Sequence, residues 1–213
     1  MMRLAILALA LLLSACGLGR CTAPRPLDDA GMAALYARPA PPPDHPLRVF
    51  HLGHSLVGRD MPAMLAELAG AGHRYDSQLG WGASLKGHWG DTEVAGFATE
   101  NDHPRFRAAV PAVDSGAYDA LVVTEMVEIR DAIAYHDSAD YLHRWARRAW
   151  AANSKARVYL YETWHFLDDP EGWLARIDAD LGRYWEGVIL RGALSRPGMD
   201  RPIRLIPAGQ VMA

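Results

Sequence analysis

From Leu47 onward, short apolar runs alternate with stretches whose apolar residues recur at helical spacing. Arg48 to Leu52 reads as a first strand, and Met61 to Ala71 as a helix with Asp60 as N-cap and Pro62 in its first turn. Tyr75 to Leu79 predicts a second strand, ending in Gly80-Trp81-Gly82, and the polar stretch Lys86 to His103 reads as a loop. Ala120 to Val123 is a third strand. Ala139 to Trp150 is a helix with Leu142, Trp145, Ala146 and Ala149 on one face, and Arg157 to Tyr161 is a fourth strand. Asp169 then caps a helix with Pro170 at its first position, along which Trp173, Leu174, Ile177, Leu181, Trp185 and Val188 recur at helical spacing. Ile203 to Ile206 is a fifth strand, and residues 206–213 read as that strand running into a loop. Strands alternating with helices of these lengths predict βαβ units and a three-layer α/β/α sandwich around a parallel sheet.

The first 46 residues carry a different pattern. Met1-Met2-Arg3 gives a short positive region, and Leu4 to Leu13 is almost unbroken Leu, Ala and Ile. Ten apolar residues fall short of the about 20 that span a bilayer, so residues 1–15 read as a signal peptide. Leu13-Ser14-Ala15-Cys16 resembles a bacterial lipobox, which implies lipidation of Cys16 and attachment in the cell envelope, on the periplasmic face of the outer membrane. Seven of the fourteen prolines precede residue 47, so residues 16–46 read as a Pro-rich tether, with one short helix over Asp29 to Ala37. Residues 47–213 form the domain.

Charge and cysteine content narrow the chemistry. The net charge is -3 and no Lys or Arg run stands out, so nothing marks a nucleic-acid partner. The two cysteines, Cys16 and Cys21, both lie in the leader region, which excludes thiol catalysis, zinc-thiolate sites and disulfide staples from the domain. No cofactor and no metal is expected. A site built from His51, His54 and His88 matches no strong spacing signature. Asp140 and His143 fall on one solvated helix face.

Candidate chemistry begins at Gly53-His54-Ser55-Leu56, directly after the first strand. A serine there sits at the carboxyl edge of the sheet, where open α/β sheets bind ligands. Position 57 is Val57, so the Gly-x-Ser-x-Gly elbow of α/β-hydrolases is absent. The same serine would equally cap a short helical turn. Gly80-Trp81-Gly82-Ala83-Ser84 lies in the loop after the second strand, where a turn at positive φ would by itself call for glycine. Gly82 to Gly87 lacks the Lys-Ser/Thr of a phosphate-binding loop, since His88-Trp89 follows. Tyr161-Glu162-Thr163-Trp164-His165 follows the fourth strand and reads as a ligand-binding wall.

These blocks resemble the SGNH (GDSL) hydrolases, with His54 where that family usually has Asp. The resemblance implies a flavodoxin-like sheet of five parallel strands and acyl transfer, with Ser55 as nucleophile and the N–H groups of Gly82 and Ser55 holding the oxyanion. The third block departs from the pattern: Thr124-Glu125-Met126-Val127-Glu128 stands where the family presents Gly-x-Asn-Asp. The family's Asp-x-x-His has no counterpart after the fifth strand, so a partial chain is expected, with His165 as the internal candidate base. His54, Trp81, Glu125, Glu162 and Trp164 are the candidate pocket residues, and Trp81, Trp89 and Trp164 favour a carbohydrate-linked acetyl ester, since sugars stack on aromatics. The competing expectation is a non-catalytic lipoprotein that binds glycans or an envelope partner. A nucleotide-binding flavodoxin-like module is a third reading.

Overall fold

The computed structural model describes residues 26–90 and 92–213. The expected leader, Cys16 and Cys21 lie outside the described residues. Five strands, β1 (Arg48–Gly53), β2 (Arg74–Leu79), β3 (Ala120–Thr124), β4 (Arg157–Tyr161) and β5 (Arg204–Ile206), form one parallel sheet in the order β2-β1-β3-β4-β5. This all-parallel α/β arrangement is consistent with a flavodoxin-like fold. The helices are α1 (Asp29–Tyr36), α2 (Asp60–Ala69), α3 (Leu85–Trp89), α4 (Phe97–Glu100), α5 (Ala109–Asp114), α6 (Ile129–Tyr135) and α7 (Ser138–Ala152). After β4 come α8 (Trp173–Asp180), a wider π-helical stretch (Leu181–Leu190), α9 (Arg191–Leu194) and finally α10 (Ala208–Met212). Among the described residues no helix is long and apolar enough to cross a membrane.

Alternation along the strands decides which layer each side chain joins. Phe50, Leu52, Leu121, Val123, Val158 and Leu160 point to the main core, where Leu142, Trp145, Ile189 and Leu190 meet them. Trp145 is fully buried, and its indole N–H donates to Leu85 O at 3.1 Å, so the largest core side chain also fixes α3. Val49, Ala120 and Val122 face the other side and form a smaller cluster with Leu47, Tyr159, Tyr161 and Ile206. The central strand β3 is buried along its whole length, as a strand covered on both faces must be.

Several expectations need correction. Asp60 is the first residue of α2 rather than its N-cap, and Arg59 at the cap position makes no side-chain capping bond. The Arg59 guanidinium instead donates to the carbonyls of Glu100, Asp102 and Thr99. Those carbonyls belong to the 86–103 segment, which is not a plain loop but contains α4 and most of α3. Ser84 caps α3 by accepting from Gly87 N at 3.1 Å, and Gly90 at φ +98° ends it. Helices of one or two turns, α5 and α6 among them, are too short for apolar residues to recur.

The helix after β4 begins at Trp173, not at Pro170. Asp169 makes a turn by accepting from Glu171 N at 2.8 Å. Ile177 and Trp185 are buried as the spacing requires, but Leu174 lies exposed in the first turn. Val188 is exposed because the 3.6-residue repeat drifts through the wider π-helical stretch. Residues 208–212 form α10 rather than a loop. In the Pro-rich region, α1 packs on the domain: Leu27 N donates to Ser195 Oγ at 2.7 Å and Tyr36 donates to Ile203 O.

His51, in β1, is 1 % exposed, and neither ring nitrogen has a partner among the described residues. Burial, with the nearby His73, pushes its pKa down to about 3. The folded protein therefore binds fewer protons than the unfolded chain and loses stability as pH falls below the ordinary 6.5. Replacing His51 by Leu is expected to stabilise the protein by about 1–3 kcal/mol near pH 8, because an unpaired buried polar group is removed. The gain should be larger at pH 5. Urea denaturation at the two pH values checks this, and an equal gain at both would contradict the assignment.

Candidate active site

The chain leaves β1 at Gly53. A Cβ there would lie 2.7 Å from Val57 Cγ2 and 3.2 Å from Thr124 Cγ2, so this close approach admits only glycine. Beyond it the backbone curls, with Val57 N and Gly58 N both donating to His54 O at 2.9 and 3.0 Å. Ser55 is exposed on this turn and caps no helix among the described residues. Leu56 N donates instead to His54 Nδ1 at 3.3 Å, so the local capping role belongs to His54.

Two buried imidazoles hold the strand ends together. His54 Nε2 donates to Glu125 O at 2.8 Å, tying β1 to the loop after β3. His88 Nε2 donates to Gly53 O at 2.9 Å, and its Nδ1 accepts from Gln78 Nε2 at 3.0 Å. A carbonyl only accepts, so both rings carry their proton on Nε2. Burial pushes both pKa values down to about 4, and each ring is neutral at pH 7. With every nitrogen engaged, neither ring is free to act as a base or as a metal ligand.

Glu125 and Glu162, expected in the pocket wall, are fully buried and do not line the cleft. Glu125 Oε1 accepts from Met126 N at 2.8 Å and Leu85 N at 3.3 Å. Its Oε2 and the Ser138 hydroxyl have no partner within hydrogen-bond distance among the described residues, although the hydroxyl's dipole still favours the charged form. Burial outweighs these donors and raises the Glu125 pKa to about 7. Burial likewise raises that of Glu162, whose carboxylate accepts from Gln210 N and Nε2 at 3.3 and 3.1 Å and so fastens α10 to the end of β4.

A cleft of about 390 Å³ opens at the carboxyl edge of the sheet. It brings together Ser55, His54, Gly82, Trp164 and His165, with Leu56, Val127, Phe166 and Leu167 completing its wall. Gly82 has φ +54°, and a Cβ there would meet nothing within 4 Å, so its backbone conformation rather than packing calls for glycine. Trp81 does not line the cleft. Its Nε1 donates to Glu100 Oε1 at 2.7 Å, and its ring lies against Gly96. Trp89 packs edge-on against Trp145 with ring centroids 4.8 Å apart. Of the expected aromatic platform, Trp164 alone lines the cleft.

His165 is 5 % exposed, with Nε2 3.0 Å from Asp180 Oδ2 and Nδ1 3.9 Å from Glu128 Oε2. Behind it lies Arg176, whose Nη1 and Nη2 donate to the two oxygens of Glu128 at 2.9 and 3.1 Å; Nη2 also donates to Asp180 Oδ2 at 2.8 Å, and Nη1 to Asp169. Burial and the Arg176 charge hold the His165 pKa below 6.5, against the three carboxylates that raise it. Burial works to raise the pKa of Glu128, but the Arg176 guanidinium holds it below the usual carboxylate range. The sequence reading missed this cluster. Its one visible trace is the i, i+4 spacing of Arg176 and Asp180. Glu128, His165 and Asp169 place ligand atoms within 4.8 Å of one another, but the guanidinium already supplies the cation between both carboxylates. These residues do not fit a metal.

No protein-family model matches the chain, and neither a curated protein nor a solved structure gives a match.

Replacing Arg176 by Met strands three carboxylates and is expected to cost about 3 kcal/mol at pH 7. The deficit should shrink at pH 4, below the ordinary 4.5 of Glu128, because the stability gained from the carboxylate that Arg176 holds ionised is lost as pH falls through its lowered pKa. Urea denaturation at both pH values measures it; a pH-independent deficit would point to lost packing instead.

Proposed function

We propose that this protein is a serine acyl hydrolase of SGNH type, with Ser55 as nucleophile and His165 as general base. The supporting observation is that Ser55, Gly82 and His165, which come from loops after three different strands, line one cleft at the sheet's carboxyl edge. Ser55 Oγ attacks an ester carbonyl and His165 takes its proton. The N–H groups of Gly82 and Ser55 receive the charge that develops on the carbonyl oxygen. His165 returns the proton to the leaving alcohol, and water then releases the acid and restores the serine. His165 suits the base because it is held neutral near pH 7, while His54 has both nitrogens engaged. The lipobox-like Leu13-Ser14-Ala15-Cys16 supports lipid anchoring at Cys16 in the cell envelope.

One observation favours a binding role instead. The resemblance calls for an amide donor from the loop after β3 to complete the oxyanion hole, whereas that loop carries Glu125 and Glu128, and both carboxylates are engaged with protein partners.

Ser55→Ala is expected to abolish ester hydrolysis and labelling by a fluorophosphonate, with folding unchanged by circular dichroism. His165→Ala should lower kcat by about 10²–10⁴-fold. In the wild type, kcat/KM should fall with acid along a limb centred below pH 6.5, because a base must be neutral to accept a proton. Hydrolysis that survives Ser55→Ala would overturn the serine mechanism and a wild type that hydrolyses no ester would overturn the hydrolase reading, whereas survival of His165→Ala alone would move only the base.

A further inference from the structure

We infer that the cleft takes an apolar acyl group of medium length, and that Phe166 and Leu167 select for it. This inference rests on the acyl-transfer reading of the same cleft.

The wall gathers exposed apolar side chains at one concave place. Phe166 and Leu167 are 60 % and 76 % exposed, and they follow each other in the loop after β4 instead of turning into the core. Trp164 from the same loop, Leu56 from the turn after β1 and Val127 from the loop after β3 complete an apolar surface around Ser55. Exposed large apolar side chains gathered at a concave site mark a ligand surface rather than ordinary scatter.

The polar groups point the same way. Both His54 nitrogens are engaged, and His165 Nε2 lies 3.0 Å from Asp180. That leaves the Ser55 hydroxyl, His165 Nδ1 and the backbone as the groups most open to a ligand. A sugar ring entering the cleft would bury several hydroxyls without partners, which is unfavourable for each one. An alkyl chain needs no such partners. The aromatic stacking that would favour a sugar is also reduced, since Trp81 and Trp89 are held elsewhere.

Size sets the length. If a methylene takes about the ~30 Å³ share of a liquid water, the cleft of about 390 Å³ accommodates roughly a dozen ligand heavy atoms. That suits an acyl chain of roughly six to ten carbons with its ester group. Each methylene removed from water should raise kcat/KM by about fourfold until the cleft is full.

The test uses the full chain with p-nitrophenyl esters from acetate to dodecanoate, alongside acetylated xylo-oligosaccharides. The expected result is a steep rise in kcat/KM to about octanoate and then a plateau, with the sugar esters poor substrates. The double variant Phe166→Ala, Leu167→Ala removes only exposed side chains, and it should cut the octanoate-to-acetate ratio at least tenfold. Leu68→Ser, an exposed apolar residue on α2 away from the cleft, should leave that ratio as it was. A second arm measures octanoate binding to the Ser55→Ala protein by calorimetry, with and without the double variant. A preference for acetylated sugar, or a chain-length slope indifferent to Phe166 and Leu167, would overturn the inference. If the wild type hydrolyses nothing, the hydrolase reading fails and the binding arm decides alone. Octanoate binding that needs Phe166 and Leu167 supports the apolar site, and no binding ends it.

Discussion

The carbonyl groups at the carboxyl ends of β1 and β3 must find donors where the ladder stops, and the site depends on how they do so. His88 reaches Gly53 O and His54 reaches Glu125 O, each through Nε2–H. A neutral imidazole suits this work, because its second nitrogen accepts a further N–H instead of remaining an unpaired buried donor. The result is a rigid floor of neutral groups beneath Ser55. Removing the charge from these rings is what permits the nearby cleft to be apolar.

A second, charged cluster fixes the other wall. Arg176 bridges Glu128 from the loop after β3 with Asp180 on α8, and Asp169 joins from the loop after β4. One guanidinium therefore ties the loop after β3 to α8 and to the turn that precedes it, and it sets the electrostatic surroundings of His165. Bidentate geometry and near-complete burial make the arrangement more than a surface ion pair. The two floors divide the labour: neutral bonds position the serine, and charged ones position the histidine.

The apolar lining of the cleft follows from this division. His54 is committed to backbone groups and His165 Nε2 to Asp180, so apart from Ser55 and the remaining edge of His165 the lining is Leu56, Val127, Trp164, Phe166 and Leu167. Glu125 and Glu162 illustrate the same point. Each stands at the end of a strand among candidate pocket residues, yet each turns inward to satisfy amide groups, Glu125 those of Leu85 and Met126, Glu162 those of Gln210. From the sequence they look like a ligand wall; in the fold they are fasteners.

What the sequence determined is what depends on neighbours along the chain. The five strands, the long helix after β3 and the glycine turn bearing Ser55 are all legible, because apolar alternation and helical spacing report local geometry directly. Short helices such as α4, α5 and α6 escaped because one or two turns hold too few residues to show a period. What only tertiary structure decided is which polar residues meet. Ser55 and His165 are brought to one cleft by the sheet, Trp81 and Trp89 are drawn to other partners, and Arg176 finds Glu128 across 48 residues. The reason is physical: leaving a buried donor, acceptor or charge unpaired is costly, so all but a few such as the His51 ring find partners, and those partners are chosen by proximity in space rather than in sequence.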